Sequence, residues 1–347
     1  MIKISKTTIL PMLDIMERFN AGVDVRKDLS ELLEYEDYQI EIERYQNHIE
    51  GIGFTKEEYI DYFLNIRTVE VETIASKALK YRVKDLLSVM DNVDYYRDLY
   101  EEIKDFKEAD VKDALIRTRF GLPDEIELDD IRIIFSIGLG LSGGWVYKNN
   151  SHYDLKLIID KEKKTGLKNT IAHECHHIGF NKYMKAVNMD ALSSSKDTAL
   201  VLYFSGEGTA IKYCNNFHGI MTRKIYKHDD MDIDDQSYRY YLNNFDKIYD
   251  GFRNDIVTLR SCDKKEMNVV RDIFMKNYFY RDVVIDGELR ENYLWQPIAY
   301  HLGADIWGLV HDVFGREKVF DLLMNPSSFF QYFNMALSEI DRDDLHI

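Results

Sequence analysis

Through the first third of the chain, apolar residues recur at the three- and four-residue intervals of a helix. Ile9, Leu10, Leu13, Met16 and Phe19 follow this spacing, while Pro11, Asp14, Glu17 and Arg18 break the run, so the amino terminus reads as an amphipathic helix and not as a secretory core. From about Leu29 to Arg119 the helical spacing continues, with Tyr59, Phe63, Ile66 and Val69 in one set and Leu79, Val83, Leu86 and Leu87 in another. The texture changes after Gly121-Leu122-Pro123. The apolar run Ile131 to Ile137 and the alternation of Tyr153, Leu155, Leu157 and Ile159 read as two strands, separated by the glycine-rich GLGLSGGWVYKNN as a turn or loop. Helical signals then return and persist, apart from a polar loop around Lys227 to Ser237. With 4 prolines and no Gly/Ser linker or fixed-period repeat, the pattern predicts a compact, mainly α (α+β) fold with a small sheet. A boundary near residue 125 divides an N-terminal helical region, 1–125, from the region 126–347 that carries the candidate chemistry; the two can pack as one domain.

Length and charge narrow the partners. At 347 residues and 45% hydrophobic content the chain can bury a core without staples. Its formal net charge of −16 repels polyanions at long range, which argues against nucleic acid and anionic membranes and favours a neutral or basic substrate. No run of about 18 apolar residues suggests a membrane span. Cys175, Cys214 and Cys262 are an odd set without CxxC spacing, which fits buried thiols in a reducing compartment and makes the cytoplasm the expected location. Oligomeric state has no signature.

The segment KNTIAHECHHIGF is decisive, because His173, Glu174 and His177 satisfy HExxH within a helical stretch. Residues four apart share a helix face, so His173 and His177 can present ring nitrogens to one zinc ion, with Glu174 beside them as general base. His176 lies off that face and reads as a neighbour of the site or a surface residue, and Cys175 as a core contact. A catalytic zinc usually takes a third protein ligand. The metzincin arrangement fails, because Phe180 and Tyr183 stand where Gly and His are required, and an aspartate in GTxxD fails at Lys212. The acidic stretch HDDMDIDD spaces Asp230, Asp232 and Asp234 like a calcium loop, but Asp235 and Tyr241 replace the glycine and glutamate that such a loop needs. It reads as a solvated loop.

Glu207 remains, in VLYFSGEGTAIKYC, 30 positions after His177 (207 − 177). HExxH paired with GEGTAIKY resembles the gluzincin metallopeptidases, whose Glu-Gly-x-Ala type helix supplies a glutamate as third zinc ligand. The match falls on Glu207, Gly208 and Ala210, and it looks closest to poorly characterised bacterial zinc-dependent peptidases with a downstream GEGxA motif and a later helical segment, here PIAYHLGADIWGLVHDVFG. The resemblance covers roughly 131–335. It implies a gluzincin-like core, Zn2+ held by His173, His177 and Glu207, and hydrolysis of peptide bonds with Glu174 activating water. Tyr300 and His301, in the later segment, are the candidates to stabilise the oxyanion. The gluzincin aminopeptidases carry an acidic residue upstream of the zinc helix, whereas GLGLSGGWVYKNN contains no carboxylate, which weighs against an aminopeptidase. The alternative is a catalytically silent zinc-binding protein that uses the protease fold to hold a peptide or protein.

Overall fold

Polar side chains mark where several helices begin. Thr55 and Glu58 form a reciprocal capping box at the start of one helix, and the Ser76 and Asp234 side chains accept from the N–H groups of Leu79 and Ser237 to start two others. Pro11 sits in the first turn of its helix, where the N–H it lacks would have no partner. A computed structural model of the chain describes residues 2–48, 52–156, 164–186, 195–223, 234–261 and 268–347. Leu157, Ile159, Asp230, Asp232, Cys262 and most of the expected loop from Lys227 lie outside these residues.

The chain forms two compact units that interleave in sequence, one of residues 1–112 and 129–167, the other of 113–128 and 168–347. The first holds α1 (Ile9–Asn20), α2 (Arg26–Leu32), α3 (Glu36–His48), α4 (Lys56–Asn65), α5 (Lys77–Asp91), α6 (Val93–Ile103) and the start of α7 (Glu108–Phe120). It also holds a four-stranded sheet of β1 (Lys3–Ser5), β2 (Arg132–Ser136), β3 (Gly144–Tyr147) and β4 (Asn150–Asp154), in the order β1-β2-β4-β3. β2 runs parallel to both β1 and β4, and only β3 is antiparallel. The sheet therefore groups with the amino-terminal helices, and the glycine-rich segment contains a strand of its own. Trp145 of β3 stacks on its cross-strand partner His152, with ring centroids 4.5 Å apart.

Charged groups are buried beside this sheet. Arg82 pairs with Asp154 at 2.7 Å, and Glu41 accepts from the Leu139 and Gly140 N–H groups at 2.9 and 3.3 Å. Gly140 is required there, since a Cβ would lie 2.5 Å from the Tyr45 hydroxyl.

The second unit is mainly helical: α8 (Lys164–Ala186), α9 (Lys196–Tyr203), α10 (Ser205–Cys214), α11 (Asp235–Asn243), α12 (Phe245–Ser261), α13 (Asn268–Phe274), α14 (Ile298–Phe314), α15 (Arg316–Met324) and α16 (Phe329–Glu339). A hairpin of β5 (Val283–Ile285) and β6 (Glu288–Arg290) interrupts them, turned by Asp286 and Gly287 at φ 51° and 81°. At the centre, α14 lies against α10, and the buried Trp307 indole donates to the Val201 carbonyl at 3.2 Å. Asp305 fixes α14 further by accepting from the Ile220, Met221 and Thr222 N–H groups at 3.0, 2.9 and 2.7 Å and from the Tyr241 hydroxyl at 2.6 Å. No helix among the described residues is long and apolar enough to cross a membrane.

Candidate metal centre

The centre is built from α8 outward, all within the second unit. Ile171, Ala172, Cys175 and Ile178 are buried along α8, and the rows of side chains that alternate with them carry His173 and His177 one turn apart. The helix is clamped from behind, where the Thr118 hydroxyl donates to the Ala172 carbonyl at 2.9 Å and the Arg117 guanidinium donates to Asn169. His176 belongs to this clamp. It is fully buried and not a surface residue: its Nε2–H donates to the Gly121 carbonyl at 2.8 Å, its ring stacks on Phe180, and burial pushes its pKa down to about 3. Cys175 and Cys214 are both buried.

α10 presents Glu207 from its first turn to the two imidazoles. The Glu207 carboxylate lies 3.2 Å from Nε2 of His173 and 3.2 Å from Nε2 of His177, and the two ring nitrogens are 3.0 Å apart. Among the described residues this is the one group of His, Cys, Asp or Glu side chains whose donor atoms converge in this way. Zinc bonded tetrahedrally at about 2.0–2.1 Å has ligand atoms roughly 3.3 Å from one another, so a triangle of this size fits its first three positions. The electrostatics agree. Burial alone would lower the His173 pKa, but the hydrogen bond and charge of Glu207 overcome it and raise the imidazole to about 9. Burial likewise opposes ionisation of Glu207, yet the two histidines hold its carboxyl far below the usual range. The site is arranged for positive charge at its centre.

Asn215, just past the end of α10, completes the setting. Its Oδ1 is 2.9 Å from Nδ1 of His173, so Nδ1–H donates there and Nε2 is the ring nitrogen left to face Glu207 and His177. Nothing in the sequence singles this residue out. An asparagine after a helix reads as an ordinary terminus, and its role depends on a contact with a residue 42 positions earlier.

Tyr300 reaches the site from the first turn of α14. Its ring stacks on His173 at 6.1 Å and 12°, and its hydroxyl bonds to Glu207. Burial, with the Glu207 and Glu174 charges, pushes the phenol well above its ordinary pKa, so it keeps its proton. Glu174 is half-buried and its charge acts on both His173 and Tyr300. His301 faces elsewhere. Its ring is boxed by Phe217, Tyr238 and Tyr241, burial lowers it to about 4, and among the described residues no contact joins it to the three converging side chains.

The Tyr300 approach requires Gly208 and Gly303. A Cβ on Gly208 would stand 2.6 Å from the Gly303 carbonyl oxygen, and one on Gly303 would stand 2.6 Å from the Phe204 carbonyl oxygen. Only glycines let the two backbones come this close. The glycine after the glutamate in GEGTA is thus the contact that seats α14 over the centre.

Two helices carrying two imidazoles and one carboxylate, flanked by a further glutamate and a protonated tyrosine, define a mainly helical protein with a metal-binding type of centre. The sequence profile of the family described as "Putative zinc dependent peptidase (DUF5700)" matches residues 29–341, and the chain belongs to that family. No curated protein and no solved structure matches the chain.

Proposed function

We propose that the protein hydrolyses peptide bonds with a zinc ion held by His173, His177 and Glu207, in the manner of the gluzincins it resembles. The observation that carries this reading is the triangle of donor atoms with edges of 3.0–3.2 Å. When bound, zinc supplies Lewis acidity, polarising a carbonyl and making water easier to deprotonate. Glu174 takes the proton of the attacking water and returns it to the departing amine, so no covalent intermediate with the protein forms. Tyr300, kept protonated by its buried and negatively charged surroundings, donates a hydrogen bond to the developing oxyanion. Asn215 holds His173 in one tautomer throughout. His301, inside its aromatic box, has no part in this scheme.

The test is metal content and turnover measured together. The parent should hold one zinc per chain and cleave members of a mixed peptide library, His173→Ala should lose the metal, and Glu174→Gln should keep it while losing cleavage. A zinc-loaded parent that cuts nothing would favour a silent peptide-holding protein instead. Full zinc binding by His173→Ala would remove the site itself.

A further inference from the structure

We propose that the outer edge of β6 pairs with the same edge of a second copy of the chain, antiparallel and centred on Leu289, so that two molecules meet in a two-fold symmetric dimer. This goes beyond the peptidase reading and does not depend on it.

An apolar pair faces outward on the β5–β6 hairpin. Val284 and Leu289 stand directly opposite one another, so their side chains share one face, and they are 54% and 60% exposed. Val283, the residue before, faces the other way and is buried. Among the described residues, Val284 and Leu289 are the only large apolar side chains on any strand that stand exposed. All three residues of β6 are exposed and the hairpin has two strands, so the outer edge of β6 has no strand beside it among the described residues. Proteins ordinarily protect such an edge with charge, proline or a bulge, because an apolar one invites another strand.

The backbone is set for such pairing. Only Asp286 and Gly287 separate Ile285 from Glu288, so these two exchange the hydrogen bonds that close the turn, and the next pair, Val284 and Leu289, is a non-hydrogen-bonded one. The N–H and C=O of Leu289 therefore point away from β5, towards the open edge. A second β6 laid antiparallel with Leu289 against Leu289 receives both groups in a reciprocal pair of hydrogen bonds. Val284 and Leu289 of one copy then continue into Leu289 and Val284 of the other as a single row across four strands, the arrangement in which cross-strand apolar contacts stabilise a sheet.

Charge selects a second copy as the occupant. In that register Glu288 lies opposite Arg290 of the second copy and Arg290 lies opposite its Glu288, so both copies are satisfied by the same exchange, as a two-fold interface requires. The two residues pair with each other along β6 at 2.8 Å, 70% and 55% exposed, and so exposed a pair contributes little that the new partners would have to replace. Two chains of net charge −16 repel at long range, so association needs local complementarity, which this edge carries. An edge of three residues is small beside the roughly 800 Å² per partner of a standard stable interface, so the expected dimer is weak, with a Kd of about 10–100 µM.

Sedimentation velocity of the full chain, from about 5 to about 500 µM in about 0.15 M salt, tests the pairing. The parent should pass from monomer to dimer across that range, and Leu289→Lys, which sets a charge at the centre of the edge, should stay monomeric. Glu288→Arg alone and Arg290→Glu alone each bring like charges together at both crossings and should raise the Kd by about tenfold or more. Mixed in equal amounts, these two variants restore both oppositely charged pairs and should associate with each other about as tightly as the parent does with itself. Circular dichroism of every variant should match the parent, since the substituted side chains are exposed. The proposal is overturned by a parent that stays monomeric throughout, by Leu289→Lys dimerising as the parent does, or by a mixture that associates no better than its components. A monomeric parent in which Leu289→Lys weakens peptide binding to the zinc-loaded Glu174→Gln protein would give the edge to a substrate strand instead.

Discussion

Two glycines flank Glu207, and alanine at each should have opposite consequences. At Gly208 the added Cβ would lie 2.6 Å from the Gly303 carbonyl oxygen and 2.7 Å from its Cα, against ordinary contact distances of roughly 3.4 Å or more. The obstacle is backbone, which cannot rotate aside, so α10 and α14 must part by about 1 Å. Overpacking of this kind costs about 1–3 kcal/mol, offset in part by the gain of up to about 1 kcal/mol for replacing glycine in a helix. At Gly206 the nearest atom to the new Cβ is Phe180 Cε1 at 3.8 Å, an ordinary contact, so only the helical gain remains. The two variants, identical in composition, should differ by about 2 kcal/mol, with Gly208→Ala melting several degrees below Gly206→Ala in thermal unfolding of the zinc-loaded protein. Function should separate them further. Parting the helices moves Tyr300 while leaving His173, His177 and Glu207 on α8 and α10, and a misplacement of about 1 Å can cost on the order of a hundredfold in rate. Gly208→Ala should therefore lose turnover more steeply than zinc affinity. Equal melting of the two variants would refute the close approach on which this reasoning depends.

Asn215→Leu removes the acceptor that orients His173 and should weaken zinc binding by about 10–100-fold in competition with a fluorescent chelator, whereas Asn215→Asp should preserve it; an unchanged affinity in the leucine variant would discard the contact's role. Tyr300→Phe should lower kcat by about two orders of magnitude with little change in KM and normal zinc content, and a loss confined to KM would assign the hydroxyl to substrate binding instead. Glu41 is raised by burial from 4.5 to about 7, against the pull of the Leu139 and Gly140 N–H groups, so its proton is held more tightly in the folded chain than in the unfolded one. Its contribution is thus most favourable below pH 4.5 and is lost as pH rises towards 7, a change of the order of 3 kcal/mol. Glu41→Gln keeps an acceptor for both N–H groups and should gain on the parent in urea denaturation between pH 5 and pH 8; a constant difference over that range would contradict the assignment.

What could be read from the sequence follows the range of the interactions involved. HExxH is a statement about one turn of one helix, so residue spacing alone puts His173, Glu174 and His177 on α8, and the mainly helical character with a small sheet is legible in the same local way. Glu207 needed the likeness of its neighbours to a known motif, because nothing in the spacing links residue 207 to residue 177. β1 has three residues, too few to show alternation, and exists because parallel pairing sets Ile4 beside Ile133. β3 was hidden in a glycine-rich stretch that reads as a turn. The grouping of residues 129–167 with the amino-terminal helices was equally invisible to a boundary drawn near residue 125, since strands declare no partners in their own sequence.

Tyr300 and His301 make the same point within a single turn. Both stand at the start of the same apolar helix, so the sequence pattern does not distinguish them, and adjacent helical positions point about 100° apart. The choice between them is fixed by the rotation of α14 about its own axis. That rotation is set where Gly303 meets Gly208 and where Asp305 gathers the 220–222 backbone and the Tyr241 hydroxyl, contacts that span between 64 and 85 positions for Asp305 alone. With the axis pinned at those two places, Tyr300 stacks on His173 and His301 turns into its aromatic box. The residue that approaches the His173, His177 and Glu207 cluster is thus selected by packing elsewhere along the helix, and on the proposed reading a substitution at Gly303 or Asp305 should act on turnover through Tyr300 without touching a candidate ligand.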